Sequence, residues 1–140
     1  MGVTLTFTGL TELRNALRVL PETLTDDAEA IVRAHADLAE AQVIQRYPVG
    51  PTGHLRGRVY VSQAGTGTST TATLRSAAPH AHLYERGTKT RRTRRGANRG
   101  RMPRASRETA FVPAVIPIRA RMVRALIDLV RQAGFTVGGV

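Results

Sequence analysis

The sequence predicts an α+β fold: a small antiparallel sheet, two main helices packed on one face, and a long basic loop. Two stretches repeat apolar residues at helical spacing, one ending near Arg46 and one running from Pro117. Between them, two β-like runs flank Gly65-Thr66-Gly67. From Arg86 to Arg107 the chain shows neither period and carries nine arginines and Lys89 with no acid. The 140 residues suit a single domain spanning 1–140, with 86–107 as its extended loop.

Val3–Thr8 alternates Val3, Leu5 and Phe7 with three threonines, the pattern of a half-buried strand. Leu10, Leu13, Ala16, Leu17 and Leu20 follow at helical spacing, and Pro21 marks a break or the first turn of the next helix. Glu22–Arg46 is the strongest helix. Leu24, Ala28, Ile31, Val32, Ala36, Ala39, Val43 and Tyr47 form one broad stripe. Thr25 is placed to cap it, with Asp26, Asp27 and Glu29 where the helix dipole favours anions. Pro48, Gly50, Pro51 and Gly53 end it.

Leu55–Gln63 and Thr68–Ser76 read as a hairpin. Leu55, Val59 and Val61 face one side, as do Thr70, Ala72 and Leu74. His80–Tyr84 is a third short strand candidate, closed by Gly87. Phe111–Val115 is apolar, and Pro117–Ala133 is a second amphipathic helix with Gly134 as its C-cap. Phe135-Thr136-Val137 reads as a last strand. The expected order is β-α-β-β-β-loop-α-β, with helices on one face of the sheet.

Composition excludes some chemistry. With no cysteine there is no disulfide, thiolate metal site or cysteine nucleophile. No apolar run is long enough to span a bilayer, and the first residues lack the basic region of a secretory signal. Met1-Gly2-Val3-Thr4-Leu5-Thr6 fits a myristoylation pattern, but a Val/Leu/Phe strand that happens to start with glycine is the favoured reading, because the pattern is short and no second membrane signal stands beside it. The net charge of +11 is concentrated: residues 1–54 hold four arginines against seven acids, whereas 86–107 holds ten positive charges. Such asymmetry speaks of partners rather than fold.

His80 and His82, two apart, would share a strand face, but a zinc site wants three protein ligands, and surface histidines are the simpler reading. No nucleophile elbow, metalloprotease motif, phosphate-binding loop or dinucleotide fingerprint is present. After residue 40 the only acids are Glu85, Glu108 and Asp128; Glu85 and Glu108 bracket the basic stretch and balance charge at its stem. The expectation is a protein that is not an enzyme and needs no cofactor. Arginine offers bidentate geometry to phosphate, and acidic protein surface is the other natural counter-charge. No aromatic residue lies between Tyr84 and Phe111, so contact with nucleic acid would be to the duplex backbone, with little base reading and steep salt dependence.

Three strings then stand in a suggestive order. Thr52-Gly53-His54-Leu55-Arg56 resembles the "TG-x-L-R" lead-in to the first long strand of the tail-component, head-to-tail joining family of long-tailed bacteriophages. Ala81-His82-Leu83-Tyr84-Glu85-Arg86-Gly87-Thr88 resembles that family's "A-x-x-x-E-x-G-T", and Phe111-Val112-Pro113-Ala114 its "P-F-L-x-P-A". The similarity runs from about Gly9 to Gly134; Thr109-Ala110 stands where the family often has Arg-Pro, and the basic loop is longer than the family's. The resemblance implies a virion protein of the neck or tail end, tail-completion or tail-terminator-like. Such subunits form rings, commonly hexamers, between the head connector and the tail tube, with double-stranded DNA passing through the lumen. On that reading Arg91, Arg92, Arg94, Arg95, Arg99 and Arg101 contact a neighbour or DNA, and Glu85, Gly87, Thr88, Phe111 and Pro113 form the loop's stem. The alternative is a small nucleic-acid-binding module that grips duplex backbone through the arginines.

Overall fold

The computed structural model describes residues 22–66, 69–101 and 110–137. Its elements are α1 (Glu22–Arg46), α2 (His54–Gly57), β1 (Val59–Thr66), β2 (Ser69–Ser76), α3 (Ala81–Arg86) and α4 (Phe111–Gln132). The described residues form an α+β fold with one two-stranded antiparallel sheet. The Val3–Thr8 strand and the Leu10–Leu20 helix of the sequence reading lie outside the described residues.

α1 has the expected bounds. It contains no glycine or proline, and Ala28, Ala39 and Val43 are buried along its inner stripe. Thr25 lies inside the helix rather than at its start. Beyond the helix, Tyr47 is also buried, and its N–H still donates to the Val43 carbonyl. Gly50 and Gly53 then turn the chain at φ of +63° and +64°, a region open to glycine at no steric cost.

The reversal brings Leu55 into the core and lets Arg56 Nε donate to the Tyr47 carbonyl. A cation thereby meets a backbone oxygen left free at the end of α1, where the helix dipole favours it. Leu55–Arg58 was expected to open a strand; His54–Gly57 is instead one helical turn, and the strand starts at Val59. β1 and β2 pair with Val61 opposite Leu74 and Thr66 opposite Ser69, so Gly65 belongs to the strand and not to the turn. Val59 and Leu74 are buried, Val61, Ala72 and Thr70 half-buried, and Ser62–Gly65 exposed. The base of the hairpin therefore joins the core while its far end projects.

Two further expected strands are absent. His80–Tyr84 belongs to α3, whose first turn closes through Leu83 and Tyr84 N–H groups on the His80 carbonyl. Phe135–Val137 is not extended into a sheet. Phe135 N–H bonds the Val130 carbonyl and Gly134 N–H the Arg131 carbonyl, with Gly134 at φ +88°. This is a Schellman stop, so Gly134 does cap the helix and Phe135 is consumed in ending it.

α4 also starts six residues earlier than expected, and Pro117 sits inside it. Phe111, Ala114, Val115, Ile118, Met122, Leu126 and Val130 are buried at helical spacing, so the stripe continues smoothly across the proline. Pro117 itself is exposed. α4 packs on α1 along two clusters. One joins Ala28, Met122 and Leu126; the larger joins Val43, Tyr47, Leu55, Val59, Leu74 and Ala81 to Phe111, Ala114 and Ile118.

Tyr47 is the hub of the larger cluster. It is 1% exposed, meets Tyr84 edge to face at 5.6 Å, and its hydroxyl reaches Ser76 Oγ at 3.4 Å. Burial pushes its hydroxyl well above the ordinary tyrosine range; the Ser76 bond opposes the push and the Glu85 charge adds to it. A folded-state pKa above the unfolded one means stability is whole below the unfolded value of about 10 and is lost above it. Urea unfolding from pH 8 to 11 should show that loss, and Tyr47→Phe should flatten it, at a neutral-pH cost under about 1 kcal/mol for one long hydrogen bond.

Candidate functional site

The site is built around the start of α4. A helix begins with four N–H groups that have no intrahelical partner: those of the N-cap and the next three residues. Here these are Ala110, Phe111, Val112 and Pro113. Ala110 has no side chain to cap with. Glu85, 25 residues earlier on α3, supplies both carboxylate oxygens instead. Its Oε2 accepts from Ala110 N–H at 3.2 Å and its Oε1 from Phe111 N–H at 3.0 Å. Pro113 has no N–H, so the fourth position leaves no donor to satisfy. A carboxylate at this helix end also meets the favourable pole of the dipole.

Of the stem residues expected from sequence, Glu85 and Phe111 are thus brought together. Glu85 sits at the end of α3. Gly87, at φ +70°, ends that helix with its N–H on the Leu83 carbonyl, and Thr88 is half-buried beyond it. Across the clamp, Phe111 is buried and Pro113 half-buried. Glu85 was read as charge balance for the arginines; its carboxylate bonds backbone amides. Glu108, its expected counterpart, lies outside the described residues. The glutamate's backbone partners were not legible because nothing local in the sequence links residue 85 to 110.

The three strings noted above all fall on joints of the fold. Gly53 and Arg56 turn the chain after α1, Glu85 and Gly87 end α3, and Phe111 and Pro113 start α4. Sequence reasoning missed Arg56 and Tyr84 as joint residues.

From Gly87 the basic segment is not structureless. Arg91 N–H donates to the Gly100 carbonyl, Arg99 N–H to that of Arg91 and Thr93 N–H to that of Ala97, with Arg92 bridged opposite Asn98. Gly96 N–H closes on the Thr93 carbonyl, Gly96 takes φ +82°, and Ala97 N–H bonds Thr93 Oγ1 at 3.0 Å. This is a short hairpin with a three-residue loop, its glycine at the left-handed position that such loops require. Asn98 Oδ1 accepts from Gly100 N–H at 2.8 Å and steadies the return arm.

Arg91, Arg92, Arg94, Arg95, Arg99 and Arg101 are all exposed, with Arg94 and Arg95 at the tip. Among the described residues none of them, nor Lys89, forms an ion pair. Arg86, Lys89 and Arg101 come together with Gly87, Thr88 and Thr90 around an open cleft of about 440 Å³ at the hairpin's root. The field is positive throughout and unscreened by any acid of the hairpin itself.

The histidines do not converge. His80 precedes α3 and His82 lies within it, both exposed; two positions apart on a helix they point to different sides, not to one strand face. His35 Nδ1 bonds the Ile31 carbonyl of its own helix. Among the described residues no three metal-binding side chains cluster, and no helix is long and apolar enough to cross a membrane.

Comparison of the chain with protein-family models, curated proteins and solved structures gives no match. Glu85→Ala should lower stability by about 1–2 kcal/mol in urea unfolding, the cost of losing a helix cap. Glu85→Gln, which keeps one acceptor oxygen, should lose less. Equal stability of all three proteins would show that the clamp contributes nothing.

Proposed function

We propose that the chain is a non-catalytic structural subunit of the neck of a long-tailed bacteriophage, a tail-completion or tail-terminator-like protein. In this reading it forms a ring that joins the head connector to the tail. It acts by assembly, in the host cytoplasm during morphogenesis and afterwards in the virion.

The observation that carries this reading is the first two turns of α4. Phe-Val-Pro-Ala-Val-Ile-Pro-Ile is apolar all round. A helix of that kind belongs in an interior, not on a surface. One side is buried against α1 and the hairpin base, but Val112 is 50% and Ile116 58% exposed on the other. That outer side is one turn from the Glu85 clamp and faces away from the subunit's own core. A neighbouring subunit would cover it. The three family-like strings then supply the neck. The arginine hairpin alone would suit a duplex-binding module equally well; the exposed apolar helix face favours assembly, because backbone phosphate contact has no use for it.

Electron microscopy and light scattering of the purified protein, alone and with neck or tail parts, should show a closed ring, a hexamer being the expected size. A strictly monomeric protein under all those conditions overturns the proposal. Val112→Asp with Ile116→Asp should leave the subunit folded by circular dichroism yet weaken assembly at least tenfold. In phage, deletion of Arg91–Arg101 should leave heads and tails unjoined or particles that leak DNA.

A further inference from the structure

A ring subunit joined head to tail needs two different surfaces on one chain that fit each other. The structure offers such a pair, opposite in charge. The first is the arginine hairpin, with seven cations between Gly87 and Arg101. The second is one edge of α1. At 3.6 residues per turn, Asp26, Glu29, Asp37 and Glu40 fall within an arc of about 80°, with Arg33 among them. Asp26, Glu29 and Asp37 are exposed and Glu40 is half-exposed. Among the described residues none of these acids forms an ion pair, with the hairpin of its own chain or elsewhere.

We propose that the hairpin of one copy seats along this acidic edge of α1 in the next copy. The contact rests on the ring reading above and names its polar half. Dimensions agree. Each hairpin arm, about five residues at 3.3 Å, spans roughly 16 Å. From Asp26 to Glu40 the helix edge runs roughly 21 Å. The hairpin also lacks what would hold it rigid alone. A two-stranded hairpin in water is marginal, and this one has Ala97 as the only apolar side chain between Thr90 and Arg101, with like charges repelling along both arms. The acidic edge removes that repulsion and gives arginine the carboxylates its planar fork suits. Because the surfaces differ, the contact is heterologous and repeats around a ring rather than closing a dimer.

Charge reversal tests this in the full chain. Arg94→Glu with Arg95→Glu reverses the hairpin tip, and Asp37→Arg with Glu40→Arg reverses the helix edge. Each pair alone should weaken assembly more than tenfold by light scattering, with unchanged circular dichroism. Mixing the two variants should restore assembly as alternating copies, and the four-fold variant should assemble by itself. Asp26→Lys with Glu29→Lys is a second helix pair if the first disturbs folding. If the wild type assembles and neither reversal weakens it, or if mixing restores nothing, the contact is wrong while the ring reading stands. If hairpin reversal abolishes duplex DNA binding and helix reversal leaves assembly untouched, the arginines serve DNA and the contact is wrong. A wild type that stays monomeric removes the ring reading, and this contact with it.

Discussion

Glu85 is the constraint on which the rest depends. Its carboxylate is the cap α4 lacks, and it comes from an element outside the helix. Without it, Ala110 and Phe111 would leave two donors unmet at a buried helix end, since both residues are nearly inaccessible. With it, three things are fixed at once. α4 begins at Phe111 and its stripe meets α1 in register; α3 is held against Tyr47 through Tyr84; and Glu85 and Ala110, which flank the basic segment in the chain, are tied together.

Around that clamp, five of the thirteen buried residues of the core are alanines. Ala39, Ala78, Ala81, Ala110 and Ala114 are all buried, and Ala39 and Ala114 let α1 and α4 approach closely beside Tyr47, Val43 and Phe111. A tyrosine so placed is a demanding centre. Its ring fills the space, its hydroxyl has to find Ser76, and its carbonyl has to find Arg56. The hairpin base, the α2 turn and α3 therefore converge on one residue, which is how a small sheet and short helices acquire definite positions.

Much of this was legible in the sequence where period and punctuation agree. α1 has a sustained 3.6-residue stripe and a Pro/Gly-rich stop, and its bounds follow. The β1–β2 hairpin follows from alternation. Gly134 was readable as a cap, although Phe135, which completes that cap, was taken for a strand. The failures have physical causes. Pro117 was read as a helix start because proline is at home there; the true start is fixed by a carboxylate from another element, which no local window contains. His80–Tyr84 is too short for period to separate helix from strand. The site was half legible. Charge marked the arginine segment, but its hairpin carries no apolar alternation and is declared only by turn chemistry, Thr93-Arg94-Arg95-Gly96 and Asn98-Arg99-Gly100. The cross-chain match between the hairpin and α1 needed the helix edge to be seen as a surface.

The clamp has one more consequence, for tolerance to change. Glu85 and Ala110, which flank residues 86–109 in the chain, are tied together by hydrogen bonds from the Ala110 and Phe111 amides to one carboxylate. The entropy of closing such a loop grows only with the logarithm of its length, about 0.6 kcal/mol per doubling. The body is therefore nearly indifferent to what hangs between Arg86 and Ala110. That makes the segment an exchangeable cassette, free to vary in length and sequence with its partner while the scaffold stays unaltered.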